Sequence, residues 1–146
     1  MSVYDRCITR WGLPALPTNY NNNWNILQTP DYVVIYMEML HDARIIPLDQ
    51  RSHINDGIRQ WLGDSRGYWE GDTLVVTSRN YTSKTGSFYT LIQTYGAGDT
   101  LELVERFTRT DADTLVYEFT VDDAATFVAP FTAVIPMQRS DNSLFE

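Results

Sequence analysis

The sequence predicts a mainly β domain: an antiparallel up-and-down barrel of about eight strands with one short helix. Three observations carry this. Runs rich in Val, Ile, Tyr and Phe alternate with polar residues from Tyr32 onward. Short turn sequences join the runs, so successive strands pair locally. Only the stretch from Asn55 to Leu62 reads instead with apolar residues at helical spacing.

Residues 1–30 read as an irregular arm, punctuated by Pro14, Pro17 and Pro30 and by the turn-forming Asn21-Asn22-Asn23. Trp11, Tyr20 and Trp24 are costly to leave in water, so the arm is expected to lie across the body. Residues 31–146 form the single barrel domain. Tyr32 to Leu40 is its first strand, with Val33, Ile35, Met37 and Met39 on one face and Tyr36 and Glu38 on the other. Ala43 to Leu48 is the hairpin partner. Ile54, Ile58, Trp61 and Leu62 mark the helix, with Ser52 or Asn55 as its cap and Gly63 after its end. Tyr68-Trp69 and Thr73 to Ser78 flank the tight turn Glu70-Gly71-Asp72. Phe88 to Tyr95, Leu101 to Arg109, Thr114 to Val121 and Phe131 to Met137 complete the series. Barrels of lipocalin-like type have this size and order. A β-sandwich is the main alternative, and a cone-shaped sheet wrapped on the helix the second.

At 146 residues the chain is long enough to bury a core without disulfide or metal. Aromatics make up 13% of it, which suits either a lined pocket or a packed aromatic core. The net charge of −8 argues against nucleic acid and against anionic membrane surfaces. No apolar run approaches the roughly 20 residues that span a bilayer, so no membrane insertion is expected. Cys7 is the only cysteine, which excludes an internal disulfide. The two His residues lack metal-site spacing, and glycine-rich phosphate loops are absent, so neither metal nor cofactor is expected. Gly63-Asp64-Ser65-Arg66-Gly67 is not a nucleophile elbow, because a strand-to-helix turn is required there. As the chain stands it reads as cytoplasmic, or as periplasmic or secreted if a leader has been removed.

One hairpin fixes its own register. Leu101, Leu103, Glu105 and Phe107 alternate with Glu102, Val104, Arg106 and Thr108; Leu115, Tyr117, Phe119 and Val121 alternate with Val116, Glu118 and Thr120. Aligning the apolar sets puts Phe107 beside Tyr117, Glu105 beside Phe119, and Arg106 opposite Glu118 on the outer face. Glu105 is then the only charge on an aromatic face. A carboxylate there must be paired, hydrogen-bonded or neutral. It is either a general acid or base, or half of a structural pair with an Arg. Glu38 poses the same question. His41-Asp42-Ala43-Arg44 gathers an imidazole, a carboxylate and a guanidinium at one hairpin end. Glu105, His41, Asp42 and Glu38 are therefore the candidate catalytic groups. Tyr36, Arg44, Trp61, Asp64, Arg66, Trp69, Phe107, Tyr117 and Phe119 are the candidate pocket residues. Asp64 and Arg66 sit between glycines that let the backbone approach a neighbour closely, as a ligand contact or as a bracing ion pair. Asp49 to His53 adds another Asp, Arg and His nearby.

Several long strings resemble a family of uncharacterised bacterial proteins, many of them exported. They are Asn21-Asn22-Asn23, Gln28 to Tyr32, His41 to Asp49, Trp61 to Gly67, Trp69 to Val76, Val104 to Phe107 and Asp113 to Leu115. The resemblance covers most of the chain. It implies that the polar strings form one shared site and implies no activity. Members of that family are longer and begin with a leader.

Three functions compete. The favoured one is a cofactor-independent acid–base enzyme, an isomerase, cyclase, lyase or hydrolase, acting on a small hydrophobic molecule in an aromatic pocket. The second is a non-catalytic binding protein for such a molecule, monomeric or homodimeric. The third is a structural module whose aromatics are only core.

Overall fold

The structure is a computed structural model, and it describes residues 6–9, 14, 16–17, 19–84, 98–142 and 144. Eight strands are present among these: β1 (Trp24–Gln28), β2 (Tyr32–Met37), β3 (Ala43–Pro47), β4 (Asp64–Glu70), β5 (Thr73–Arg79), β6 (Glu102–Arg109), β7 (Thr114–Asp122) and β8 (Phe131–Gln138). They form two antiparallel sheets, β1-β2-β3 and β4-β5-β6-β7-β8, each in sequence order. β3 packs alongside β4. Gly67 makes that approach possible: a Cβ there would stand 2.8 Å from Ile46 Cγ2 and 2.9 Å from Leu48 Cδ2. Among the described residues no helix is long and apolar enough to cross a membrane.

Alternation sorts the side chains. Val33, Ile35 and Met37 of β2 are buried, as are Leu74 and Val76 of β5 and Leu103, Phe107, Tyr117, Phe119 and Val121 of β6 and β7. Together with Ile46 they make one core between the sheets. Each such large side chain contributes roughly 1.5–3 kcal/mol when removed from water. The β6–β7 register follows the apolar alignment: Glu105 faces Phe119, Arg106 faces Glu118 and Phe107 faces Tyr117. The Phe107 and Tyr117 rings stack with centroids 4.9 Å apart. Arg106, however, makes its ion pair with Glu70 (2.7 Å), and Glu118 adds a weaker attraction.

Three expectations need correction. Asn55 to Leu62 is not a helix. Ile58 N–H bonds the Asn55 carbonyl as a turn, and Gln60 forms an isolated bridge with Tyr81. The cause is Asn80, whose buried amide donates to the carbonyls of Ile54, Asn55 and Ile58 at 3.3, 3.0 and 3.2 Å. Those carbonyls serve a side chain rather than a helical ladder. Second, the expected irregular arm contains β1, whose Trp24 packs on the core, while Tyr20 is exposed. Of the rest of the arm, Thr9 is buried and Leu16 packs on the core. Third, the first strand ends at Met37, and a 3₁₀ turn spans Met39–His41 with Leu40 and His41 at φ 58° and 55°. Trp11 and the expected strand Phe88 to Tyr95 lie outside the described residues.

Candidate functional site

Glu105 is fully buried between the sheets, in the position its strand pattern requires. Arg44 enters from β3 on the facing sheet and grips it with both amino groups: Nη1 donates to Oε1 at 3.0 Å and Nη2 to Oε2 at 2.6 Å. The Tyr117 hydroxyl donates to Oε1 at 2.7 Å. Arg44 Nη2 also reaches Ser65 Oγ and Ser78 Oγ, both at 3.2 Å, and those hydroxyls bond each other at 2.8 Å. The cluster thus joins β3, β4, β5, β6 and β7 at one point. Burial opposes the charge on Arg44, but the Glu105 carboxylate outweighs it and raises the guanidinium further above its ordinary value. Burial and the adjacent carboxylate push the Tyr117 hydroxyl well above the phenol range. The buried Tyr81 phenol is raised by the same desolvation; its hydroxyl makes no hydrogen bond of ordinary geometry, and Arg44 Nε likewise has none.

The other candidate acids do not join Glu105. Glu38 is buried and accepts from the Asn23 backbone N–H (3.1 Å) and the Asn23 amide (2.8 Å), which pins the approach to β1. Asp42 is raised by burial, and the Thr9 hydroxyl, bonded to it at 3.1 Å, works against the shift. His41 is exposed at the turn, with its ring 6.3 Å from that of Tyr36. Phe119 is enclosed in the core beside Tyr117. Trp61 is half-buried, and Trp69 is largely exposed near the end of β4. Asp64 and Arg66 form an ion pair at 2.7 Å on the outer face of β4.

Two other groups were not assembled from sequence, although His53, Asp64 and Tyr117 were each named there. On the outer face, His53 sits between Asp64 and Thr77. Between β1 and β8, the end strands of their sheets among the described residues, run two adjoining clefts. One, about 200 Å³, is lined by Trp24, Tyr117, Ile135, Met137, Leu16 and Pro17, among others. The second, about 430 Å³, shares Asn22, Trp24, Met137 and Gln138 with it and extends toward Arg109 and Asp113. Trp24 stands edge-on to Tyr117 with centroids 5.3 Å apart. The signal for this cleft was the alternation of Phe131, Ala133, Ile135 and Met137 on β8, which has β7 as its one partner strand among the described residues. Among the described residues no three His, Cys, Asp or Glu side chains gather as metal ligands. The chain matches no family model, no curated protein and no solved structure.

Proposed function

We propose that the chain binds a small, largely apolar molecule with a flat face in the seam between β1 and β8. The observation that carries this is the aromatic cleft at that seam, lined by Trp24 of β1 on one side and by the β7–β8 partners Tyr117 and Ile135, with Met137, on the other. The larger cleft, about 430 Å³, falls within the size of small-molecule sites, roughly 300–1,000 Å³, and the aromatic cleft of about 200 Å³ adjoins it. Asn22 and Gln138 supply amides where they meet, suited to a polar group on an otherwise apolar ligand. On the same reading the two sheets are an up-and-down barrel whose ladder is interrupted between β3 and β4 and again between β8 and β1, since neighbours are strictly sequential and β3 lies along β4. Asn22, Asn23 and Asp113 to Leu115 belong to the strings that resemble the bacterial family, and they line the larger cleft. We take a shared binding role as what that resemblance carries.

Binding without turnover at Glu105 is the preferred reading, since that carboxylate is shielded and both its oxygens are occupied. The probe is 1-anilinonaphthalene-8-sulfonate, with native mass spectrometry of the purified protein for retained ligand. Saturable binding at one site is expected, weakened at least about tenfold by Met137→Arg, which fills the cleft from its rim, and by Trp24→Ala. A tenfold change corresponds to about 1.4 kcal/mol, near the upper end of what one aromatic contact supplies beyond its area burial. Unchanged affinity in both folded variants would remove the seam as the site.

A further inference from the structure

The outer face of β4 and β5 carries a second constellation, unconnected to the seam. The segment after β3 crosses this face and sets His53 between two strands. His53 Nδ1 lies 2.9 Å from Asp64 Oδ2, and Nε2 lies 3.2 Å from Thr77 Oγ1. Asp64 is held from every side: Oδ2 also accepts the Ile54 N–H at 3.0 Å, and Oδ1 accepts from Arg66 Nη1 at 2.7 Å. A carboxylate accepts and does not donate, so the His53 tautomer that fits this contact carries its proton on Nδ1. Nε2 is then a bare acceptor, and the hydroxyl aimed at it is that of Thr77. Alcohol, imidazole and carboxylate in this order are the parts of a nucleophile, its base and the group that orients the base. An oxyanion donor stands beside them. Arg66 is the direct cross-strand partner of Thr77. Its Nε is spent on the Ser52 carbonyl (3.2 Å) and its Nη1 on Asp64 and the Ser65 carbonyl, which leaves Nη2 with no acceptor among the described residues. Cross-strand partners on one face stand about 5 Å apart at Cβ, within reach of a carbonyl oxygen held at Thr77. Thr77 is half-buried, and its other register neighbour, Val104, is partly exposed and offers an apolar surface.

We propose that Thr77 is an acyl-accepting nucleophile, with His53 as its base, Asp64 as the residue that positions His53, and Arg66 as the oxyanion donor; the substrate class is a small ester with an apolar acyl group. Thr77 Oγ forms a bond to the carbonyl carbon while its proton passes to His53 Nε2. The ester C–O bond breaks, and the alcohol leaves with that proton. Water then adds to the Thr77 ester, with His53 again as base, and releases the carboxylate, a proton and the free hydroxyl.

The test uses p-nitrophenyl butyrate and a fluorophosphonate probe on the intact protein, with peptide mass spectrometry to locate the label. Label on Thr77 is expected, and acylation should fall at least about a hundredfold in Thr77→Val and in His53→Gln, the lower end of what a general base supplies. Thr77→Ser should keep or raise the rate, which separates a lost nucleophile from a disturbed strand. Nitrogen-15 NMR of His53 adds a readout independent of activity: an Nδ1–H tautomer in the wild type and a mixture in Asp64→Asn. Wild-type protein that takes up no label at Thr77, acylation that survives Thr77→Val, or an Nε2–H tautomer in the wild type would each overturn the assignment.

Discussion

Strands β4 and β5 carry two polar clusters back to back. Ser65 and Ser78 point inward to Arg44, Glu105 and Tyr117; their chain neighbours Asp64 and Thr77 point outward to His53 and Arg66. The period of two along each strand is the whole reason for the division. Both clusters contain an Arg gripping a carboxylate, yet their surroundings assign them different work. Inside, Glu105 and Arg44 have exposures of 0% and 4%, and both carboxylate oxygens and both guanidinium amino groups are engaged within the cluster. A pair so enclosed ties β3 of one sheet to β6 of the other. Outside, His53 retains contact with water and one imidazole nitrogen faces a hydroxyl. Residue type alone does not distinguish a lock from a reactive group; access and unspent hydrogen-bonding capacity do.

The largest expected effect breaks the inner cluster. Glu105→Gln removes the charge and leaves Arg44 buried without its counterion, which costs about 3–5 kcal/mol. Chemical denaturation should show that loss. The double change Arg44→Met with Glu105→Leu should recover most of it, because a well-packed apolar pair avoids the desolvation penalty. A Glu105→Gln protein as stable as the wild type would mean that the pair does not tie the sheets together.

Next in size is the close approach of the two sheets. Gly67→Ala puts a methyl against the branched side chain of Ile46, itself fully buried, so the core must shift. Overpacking of this kind costs about 1–3 kcal/mol. An unaltered denaturation midpoint would show that β3 and β4 have room to spare. The outer segment is tested by Asn80→Ala, which removes the donor shared by the Ile54, Asn55 and Ile58 carbonyls, of which that of Asn55 keeps the Ile58 N–H. A loss of about 1–3 kcal/mol is expected. Amide exchange should quicken from Ile54 to Gln60 before it does so in the strands; protection that persists there would argue that Asn80 does not organise this segment.

These residues also show why parts of the molecule were legible in sequence. The β6–β7 register and the interior position of Glu105 follow from alternation within one hairpin, a local property. The partner of Glu105 was not local: Arg44 lies 61 residues away and belongs to the other sheet. β1 escaped notice because Trp24–Gln28 is short and mostly exposed, with no alternating apolar face. The helix expected at Asn55 to Leu62 had the right spacing, but Ile58 is exposed and the carbonyls are taken by Asn80, over 20 residues downstream. Asp64 and Arg66 were singled out by the glycines around them. Gly63, at φ +69° against the Tyr81 ring, and Gly67 against Ile46 are indeed sites of close approach. His53 and Thr77 carried no such mark, since a lone His in a polar loop and a Thr on a strand are common.

The smallest expected effect sets the limit of the comparison, a guanidinium–carboxylate pair in open water. Asp49 and Arg51 are such a pair, with Arg51 Nε donating to both carboxylate oxygens at 2.8 and 2.7 Å. The hydrogen bonds from Arg51 hold the Asp49 carboxyl down to about 2, from an ordinary 3.8. A depressed carboxyl favours the folded chain only when ionised. Its contribution is therefore present above pH 3.8 and is lost as the pH falls from there through about 2. Exposed pairs add little to stability, because solvent and salt screen them and two long side chains must be held still. The expectation is thus a displaced titration without a measurable change in melting. Carbon-13 NMR of the Asp49 carboxyl should give a midpoint near 2 at low salt, moving toward 3.8 as salt is added and returning there in Arg51→Gln. A normal midpoint in the wild type would show that Arg51 does not stay on Asp49 in solution. A lowered melting temperature in Arg51→Gln would show instead that the exposed pair braces the segment leading to His53. The division between an inner cluster that holds the fold and an outer face free to react would then have to be redrawn at Asp49.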